Sequence, residues 1–509
     1  MRVIDAASAA ALVLDGARVV TGGFGSCGHP DSLTKALEER FLKTGKPNGL
    51  KLLFAAGSGD KAGRGLDRLA HPGLLDEAVG GFWGLCPSLG GLARSGAIAG
   101  HNWPQGVISR LFSEAAAKRP GLITKVGLGT FIDPAVAGGV IGSSGVEPMV
   151  LRVQLLGQDY LFYPALPIDF ALLRGTVADP DGNIGFYEET SYMDALAQAT
   201  AVSNSGGTVI VQVKRLVGRS EIIPTDVRIP ATLVDYVVVA SDEDHPQTYG
   251  DSFNQGFIAG SDWGNRAVVS CGEATARRVI ADRAVYELER LPGARVNLGI
   301  GIPALVGKRA AARGLHDFTL SVESGLLGGI PAEGLSFGAS VGRSSTIEQS
   351  ALFDLYDGGG LDIAFLGFGE VDKYGRVNVS RLGKRFTGAG GFVNISQAAR
   401  RIVFCGTFTA GGLVVREEQG VLRIVQEGRF KKFVPDVDQI TFDPSFCAAK
   451  SILYVTERCV FELSEGALSL IEIAAGFTPV DIQALVPFEF GVSESLTLYR
   501  SPGPSMLTA

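Results

Sequence analysis

The reactive side chain best placed to meet a bound ligand is the carboxylate of Glu323. Residues 317–322 are typical of a buried strand, and Glu323 follows them directly, ahead of the glycine-containing run SGLLGG at 324–329. Ligands of open α/β sheets collect at the carboxyl ends of strands, so a glutamate there would face a crevice formed by glycine backbone. A helix cap or an ion pair would use the same residue at this position, so the spacing alone leaves both interpretations open.

Two further segments offer backbone N–H groups at predicted strand ends. They are NLGIGIP at 297–303 and GTFTAGG at 406–412. Backbone donors of this kind can hold the oxyanion that develops during acyl transfer. Ordinary strand-to-helix turns use the same glycine-rich composition, so each segment taken alone has a purely structural interpretation.

The run GFGSCG at 23–28 matches the GxGxxG pattern of dinucleotide-binding proteins. The acidic residue that should follow about 20 positions later at a strand end is missing, and Glu38 and Glu39 lie in a helical pattern. We therefore interpret the run as a tight turn before a helix. Cys27 within it is the best thiol candidate, but no histidine is evidently placed as its base, which favours a buried bystander.

Composition narrows the functional class. The chain has 509 residues, a net charge of −7, 46% apolar residues and 69 glycines, as expected for an α/β enzyme of at least two domains. No basic stripe indicates nucleic acid, no apolar run of about 18 residues indicates a membrane span, and no histidine or cysteine spacing indicates a metal site. Reduced thiols in a cytoplasmic protein are expected from six scattered cysteines: Cys27, Cys86, Cys271, Cys405, Cys447 and Cys459.

The sequence contains an internal repeat, which predicts two related α/β domains with mostly parallel sheets. The run GARV followed by glycine occurs at 16–22 and again at 293–299. A second matched pattern comprises Asp169, Ala171, Leu173, Asp179 and Gly182 in the first copy and Asp362, Ala364, Leu366, Asp372 and Gly375 in the second. The predicted domains are 1–258, with an insertion at about 81–145, and 270–509, which contains Glu323.

Several long motifs resemble the family I coenzyme A transferases, especially the single-chain acetate or propionate type whose halves resemble the α and β subunits of related enzymes. The likeness covers nearly the whole chain. The motifs are GGFGSCGHPDSL, NWPQGV, ITKVGLGTFIDP, IPATLVDYVVV, NLGIGIP, SVESGLLGGIP, DKYGRVNVSRLGKRFTGAGGFVNIS and VFCGTFTAGG.

The resemblance implies a function for each motif. Glu323 would be the nucleophile in a cleft between the two domains, forming a glutamyl-CoA thioester during ping-pong exchange of CoA between a short-chain acyl-CoA and a free carboxylate. The oxyanion hole and CoA site would comprise Gly299, Ile300, Gly301, Gly411, Gly412 and Asn378. The acyl side would comprise Gln105, Gly23, Phe24 and Gly25.

The same resemblance sets expectations about cofactors, partners and location. CoA would be a substrate and covalent intermediate, with no permanently bound cofactor and no metal. The partners would be acyl-CoA and carboxylic acids, not nucleic acid or membranes, and the enzyme would be a cytoplasmic homodimer or homotetramer. Two alternatives stay open: an acyl-CoA hydrolase on the same scaffold, and a nucleotide-binding protein without catalysis.

Overall fold

The computed structural model describes residues 2–142, 145–260 and 275–499. The described residues pack into two compact units. The first takes those within Met1–Asn265, Val322–Asp354 and Phe386–Gly391, and the second takes those within Arg266–Ser321, Leu355–Arg385 and Phe392–Ala509. These units are defined by packing, so the division at 1–258 and 270–509, which was drawn from the repeat, stays a prediction. Cys271 lies outside the described residues.

The first unit is built on a nine-stranded sheet that is parallel except at one edge, where the last strand runs antiparallel. Its central strands are buried along their length, which is why their sequences are continuous apolar runs. Across the sheet the strands are Arg2–Val3, Tyr236–Val239, Thr208–Val213, Phe170–Arg174, Arg18–Thr21, Leu50–Ala56, Leu75–Phe82, Ala99–Asn102 and Val140–Ile141.

Helices and small sheets complete the first unit. The helices are Ala6–Leu12, Asp31–Thr44, Pro87–Ser95, Gln105–Ala116, Ala195–Asn204 and Gln349–Leu355. One antiparallel sheet contains Gly121–Thr124, Gln158–Pro164 and Leu151–Leu155, and another small sheet contains Arg215–Leu216, Val177–Ala178, Ile184–Gly185 and Val227–Ile229. Two ribbons follow Glu323 in the sequence: Leu326–Leu327 with Ser345–Thr346, and Ile330–Pro331 with Ser340–Val341.

The centre of the first sheet is a topological switch point. Arg18–Thr21 and Phe170–Arg174 are neighbours in the sheet, and from them the chain moves outward in opposite directions. Crevices form outside the carboxyl ends of such strands because the connecting helices leave on opposite faces. The loop at 22–28 therefore starts at the position in the sheet where α/β proteins bind ligands.

The second unit has the same arrangement at its centre. Parallel pairing joins Ala294–Leu298 to Phe318–Val322 on one side and to Ile363–Gly367 on the other. The sheet continues through Arg401–Cys405, Ser451–Val455, Cys459–Ser464, Ala467–Ala474 and Gly491–Tyr499. Its helices are Thr275–Glu289, Ile302–Ala312, Phe392–Ala398 and Pro479–Gln483, and its short strand pairs are Glu370–Val371 with Val377–Asn378, Thr409–Ala410 with Phe430–Lys431, and Val414–Glu418 with Val421–Gln426.

The residues matched in the sequence repeat make matching contacts in the two units. A carboxylate oxygen of Asp169 accepts the backbone N–H of Arg18 at 2.8 Å, and Asp362 accepts that of Arg295 at 3.0 Å. The glycine that ends the first strand also bonds to the neighbouring strand in both copies: Gly22 to Leu172 and Gly299 to Phe365. The prediction that the GARV segments at 16–22 and 293–299 each form a strand followed by a turn is confirmed.

The two copies differ in one electrostatic respect that is testable. Asp362 also binds the guanidinium of Arg295, at 3.0 and 3.2 Å, and this hydrogen bonding lowers the pKa of Asp362 below its usual value. Because its pKa is depressed in the fold, Asp362 contributes stability above its unfolded pKa, and that contribution is lost as the pH falls through the folded pKa. Asp362→Asn should lower stability at pH 7 by about 0.5–1 kcal/mol, and thermal melts should show the difference from wild type narrowing below about pH 4.

Asp169→Asn is the matched control for this change. The guanidinium of Arg18 pairs with Glu77 at 2.7 Å instead of with Asp169. The carboxylate of Asp169 therefore accepts the backbone N–H of Arg18 but forms no ion pair with the Arg18 side chain. We expect a smaller loss at this position. Equal losses at both positions, or a loss in Asp362→Asn that persists in acid, would contradict the analysis.

Candidate active site

Glu323 follows the strand Phe318–Val322 and occupies a turn whose backbone admits little variation. Gly325 has a φ of +106° and donates its N–H to the Val322 carbonyl at 3.0 Å. A Cβ at Gly325 would lie 2.0 Å from the carbonyl oxygen of Ile347, whose own N–H donates to Gly325 at 2.8 Å. Only glycine fits here, so the residue two places after Glu323 is fixed on both sides.

Ser324 stabilises the same turn through two hydrogen bonds to other parts of the first unit. Its carbonyl accepts a short hydrogen bond from the hydroxyl of Ser191, and its own hydroxyl donates to the Gly338 carbonyl at 2.8 Å. Ser191 and Ser324 are both buried, whereas Glu323 is half-buried. The backbone beside Glu323 is therefore anchored, while part of its side chain stays accessible, as a nucleophile requires.

The loop at 22–28 packs against the segment that follows Glu323. Phe24 and Cys27 exchange backbone hydrogen bonds of 2.9 Å, and Ser26 donates to the Phe337 carbonyl at 2.9 Å. A Cβ at Gly25 would lie 2.8 Å from the same Phe337 oxygen, and one at Gly23 would lie 2.8 Å from the Ser58 hydroxyl. Close packing thus accounts for these glycines, and the interpretation of GFGSCG as a tight turn is confirmed.

An apolar cluster lies on both sides of Glu323 in the sequence. Val322 and Leu326 belong to it, and both are buried. Its aromatic rings pack at short range in tilted orientations: the ring centroids of Phe24 and Phe337 are 5.5 Å apart, and those of Phe82 and Phe337 are 6.5 Å apart. Such surroundings disfavour bulk water and suit an apolar acyl group.

Cys27 is not a reactive thiol. It is buried, its Sγ contacts the Phe337 carbonyl, and burial raises the pKa of its thiol to about 12. The thiolate is the reactive form, so this side chain stays inert near neutral pH. The expected buried position of Cys27 is confirmed.

Gln105 is the first residue of the helix Gln105–Ala116 and is buried. Its backbone N–H donates to Gly390 at 2.9 Å, and its amide Nε2 lies 3.5 Å from the Oε1 of Gln349. Gln105 lies in the same compact unit as Glu323 and as Gly23, Phe24 and Gly25. The structure thus brings the predicted nucleophile and the predicted acyl-side residues into one unit.

The predicted oxyanion and CoA-binding residues lie in the second unit. The N–H of Gly299 is already used by Phe365 at 2.8 Å. Ile300 is 56% exposed, and Gly301, with a φ of +85°, precedes the helix Ile302–Ala312. The N–H groups of Ile300 and Gly301 therefore stand at a helix N-terminus, where anionic groups are stabilised.

The other two predicted backbone donors form a turn between short strands. Gly411 and Gly412 have φ values of +79° and +103°. Their carbonyls are engaged: Gly411 accepts from Arg429 at 3.2 Å and Gly412 accepts from the Gln426 side chain at 2.8 Å. These side-chain contacts support the conformation of the turn.

Asn378 differs from the other predicted CoA-binding residues because its side chain is buried and hydrogen-bonded within the protein. It is fully buried, and its amide donates to Glu370 at 2.8 Å and to the Arg381 carbonyl at 2.7 Å. Its Oδ1 accepts the N–H of Arg381 at 3.3 Å. The side chain therefore supports the turn at 378–381, and a role in binding CoA stays a prediction that rests on the resemblance.

Lys432 was not singled out from the sequence. Its Nζ donates to the Phe368 carbonyl at 2.7 Å and lies 4.3 Å from the centroid of that ring, and burial lowers the pKa of the amine to about 8. A Cβ at Gly406 would lie 2.9 Å from Nζ, which places the cation at the carboxyl ends of two central strands of the second unit. In the sequence Lys432 is one of a pair with the exposed Lys431, and only packing distinguishes them.

Two features are absent from the residues that the structure describes. No helix among them is long and apolar enough to cross a bilayer. No group of three or more His, Cys, Asp or Glu side chains within 2–142, 145–260 and 275–499 is arranged to hold a metal ion.

Comparison with known proteins agrees with this architecture. Residues 3–240 match the family described as Coenzyme A transferase. The chain is 42% identical to the caffeate CoA-transferase of Acetobacterium woodii over 94% of this chain and 92% of that one. It is 39% identical to the acetate CoA-transferase YdiF of Escherichia coli strain K12 over 91% of this chain and 87% of that one.

A solved structure has the same fold over the whole chain. The acyl-CoA transferase YdiF of Escherichia coli O157:H7, solved as a thioester complex with CoA, superposes with a TM-score of 0.91 at 36% identity and covers 100% of this chain and 97% of that one. This chain therefore belongs to the coenzyme A transferase family, in its single-chain form. It is an enzyme that transfers CoA between an acyl-CoA and a carboxylate, and CoA is its substrate and its covalent intermediate.

The anchored turn beside Glu323 makes a structural prediction. Gly325→Ala should lower the free energy of unfolding by about 2 kcal/mol or more, because the added Cβ meets the Ile347 carbonyl and the positive φ is strained. Gly91 is the matched control: it lies within the helix Pro87–Ser95, where an added Cβ meets no heavy atom within 4 Å. Gly91→Ala should leave stability unchanged or raise it by about 0.5–1 kcal/mol. Thermal melts that rank the two variants the other way would contradict the geometry.

Proposed function

We propose that Glu323 is the nucleophile of CoA transfer in this enzyme. The observation that supports the assignment is the position of the side chain. It is a half-buried carboxylate at a strand end, on a turn anchored by Ser324 and Gly325 and between two residues of an apolar cluster. A fixed backbone with a partly accessible side chain is what a carboxylate needs to attack a thioester repeatedly in one geometry.

The proposed reaction proceeds in two half-reactions. The carboxylate of Glu323 attacks the thioester carbon, the C–S bond breaks, and an acyl-glutamyl anhydride and CoA thiolate are formed. The thiolate then attacks the glutamyl carbonyl, releasing the first acid as its carboxylate and leaving CoA on Glu323 as a thioester. A second carboxylate reverses these steps and leaves as the new acyl-CoA. The complete reaction consumes one thioester and produces another, so no external energy source is needed.

A carboxylate is a weak nucleophile in water, so the surroundings have to supply much of the rate. We propose that the N–H groups at Ile300 and Gly301 and those at Gly411 and Gly412 serve the developing oxyanion and CoA, whereas the N–H of Gly299, which is bonded to Phe365, does not. Pre-oriented donors of this kind stabilise the transition state by about 3–4 kcal/mol each. Binding of the CoA nucleotide, far from the reacting atoms, would offset the loss of freedom at the thioester.

We infer that the acyl group lies against the aromatic cluster of Phe24, Phe82 and Phe337, near Gln105. Short carboxylic acids, from acetate and propionate to butyrate or a 3-oxoacid, are the first substrate class, in keeping with the relative named for acetate. The aromatic cluster favours a second class, aryl-substituted acids, because the ring of such an acid can pack against the tilted rings of the cluster. The relative named for caffeate agrees with this second class.

We also propose that the enzyme acts in the cytoplasm as a homodimer or homotetramer. Among the described residues the cysteines are unbridged, as is usual for proteins of reducing compartments. The oligomeric state rests on the family resemblance, and light scattering of the purified protein measures it directly.

The assignment of Glu323 is tested by intact-mass spectrometry. Wild-type enzyme incubated with an acyl-CoA and no acceptor acid should gain the mass of CoA less water, located on Glu323 by peptide mapping. Glu323→Gln should fold like wild type but gain no mass and lose turnover by at least about 10³-fold, since the covalent step is removed. Borohydride, which reduces thioesters, should inactivate only enzyme that has met acyl-CoA.

An adduct on another residue, or steady turnover by Glu323→Gln, would refute this assignment. Glu333 provides a matched control, because it is a nearby glutamate in the same unit that is not part of the proposed chemistry. Glu333→Gln should form the adduct at the wild-type rate.

A substrate panel tests the acyl class and separates transfer from hydrolysis. Propionyl-CoA, butyryl-CoA and an aryl-acrylyl-CoA are each offered with acetate as acceptor, acetyl-CoA is offered with propionate, and both the new acyl-CoA and free thiol are measured. We expect acyl-CoA formation to exceed thiol release by at least about 10²-fold, because a water-excluding site protects the thioester. Thiol release that keeps pace with turnover would favour the hydrolase alternative.

A further inference from the structure

Asp194 is a buried carboxylate whose partners are all neutral. It is 5% exposed and directly precedes the helix Ala195–Asn204. One oxygen accepts a short hydrogen bond from the Ser109 hydroxyl, and the other accepts the amide Nε2 of Gln349 at 2.7 Å. No Lys, Arg or His of the described residues forms a salt bridge with it. Burying a carboxylate without a counter-ion is unfavourable unless its oxygens are well bonded, so this arrangement calls for an explanation beyond stability.

The neutral partners of Asp194 connect it to Gln105. The Oε1 of Gln349 lies 3.5 Å from the Nε2 of Gln105, and the side chains of Gln105, Ser109 and Gln349 are each at most 2% exposed. Gln105 and Ser109 lie one turn apart on the same helix. Asp194 therefore bonds this helix directly at Ser109 and indirectly, through Gln349, at its first residue.

The chemistry of the chain fixes the direction of every hydrogen bond in it. An ionised carboxylate can only accept, so Gln349 has to turn its NH₂ group to Asp194 and its carbonyl oxygen to Gln105. Gln105 must then give one N–H to Gln349. Without an acceptor-only group at the end, either amide could rotate by 180° at little cost, since its oxygen and nitrogen occupy similar space.

We propose that Asp194 is a positioning residue for CoA transfer: acting through Gln349, its carboxylate sets the direction of the Gln105 amide at the acyl-binding site. The inference rests on the proposed function, because it assumes that Gln105 lies beside the acyl group. It adds residues to that site that have no direct part in the chemistry and that the sequence did not indicate.

The arrangement is sensitive to pH near neutrality. Burial and the negative charge of Glu348 together raise the pKa of Asp194 to about 7, against the hydrogen bonds from Ser109 and Gln349 that lower it. Burial likewise raises the pKa of Glu348 to about 7, opposed by the positive charge of Arg228. When the pH falls below these values Asp194 binds a proton, gains a donor and no longer enforces the direction of Gln349. The turnover rate should therefore fall as the pH drops below about 7 and reach its maximum above that pH.

The central experiment compares wild type with Asp194→Asn, which has the same shape but can both donate and accept. We expect kcat for acyl-CoA-to-acid transfer to fall about 10- to 100-fold, as for a misplaced reacting group, with the KM for acyl-CoA within about twofold of wild type. The acid limb of the kcat profile near pH 7 should disappear. Glu348→Gln should retain that limb, displaced to lower pH, because removing the neighbouring charge makes Asp194 easier to ionise.

Two further variants separate positioning from folding. Gln349→Ala should lower kcat by a similar factor, and the double variant with Asp194→Asn should be no slower than the slower single, because both act through one chain of contacts. Asp67 is the matched control: it is also a buried carboxylate with a pKa raised by burial, and it accepts the N–H of Leu89 at 3.0 Å in another part of the unit. Asp67→Asn should lower the thermal midpoint while leaving the kcat profile unchanged.

Opposite results would overturn the inference. Wild-type kcat in Asp194→Asn, or an acid limb that persists in it, would show that Asp194 does not set the direction of Gln105. If Asp194→Asn does not fold, Gln349→Ala decides the question by the same two readouts. A failure of the proposed function is distinguishable, because then wild-type enzyme would form no CoA adduct on Glu323, whatever the Asp194 variants do.

Discussion

The reactivity proposed for Glu323 depends on the anchoring of the two residues that follow it. Ser324 is bonded through its carbonyl to Ser191 and through its hydroxyl to Gly338, and Gly325 fits under Ile347 only because it lacks a side chain. These contacts leave the backbone no alternative path at the strand end. A weak nucleophile gains most from such restriction, because the reaction then needs little further loss of freedom.

The same contacts explain why other parts of the first unit are as they are. The loop at 22–28 packs against the segment 337–338, and the Gly338 carbonyl accepts the Ser324 hydroxyl. The glycines of the loop therefore help to position Glu323 indirectly, through these contacts. The cluster containing Phe24 and Phe337 adds an apolar wall. Packing, turn geometry and low polarity therefore converge on one carboxylate.

The fold and the family were accessible from the sequence because they depend on local patterns. Apolar runs predicted parallel strands, and the matched positions Asp169 and Asp362 make the same backbone contact in the two units. The glycines of GFGSCG were rightly assigned to a turn, since positive φ at Gly23 and Gly25 is a local property. Asn378 is an instance of the opposite kind: its role in binding CoA stays a prediction, and the contacts of its amide with Glu370 and Arg381 could not be foreseen from its motif.

The sequence by itself determined the strand ends, the turns and the position of Glu323 after a buried strand, because backbone preferences and apolar periodicity act between near neighbours. Only the tertiary structure decided which polar groups meet. Ser109, Asp194 and Gln349 are far apart in the chain, and Lys432 is distinguished from Lys431 solely by what covers it. Burial and hydrogen-bond direction are set by such distant contacts, and they determine the charge and orientation of side chains that no local pattern specifies.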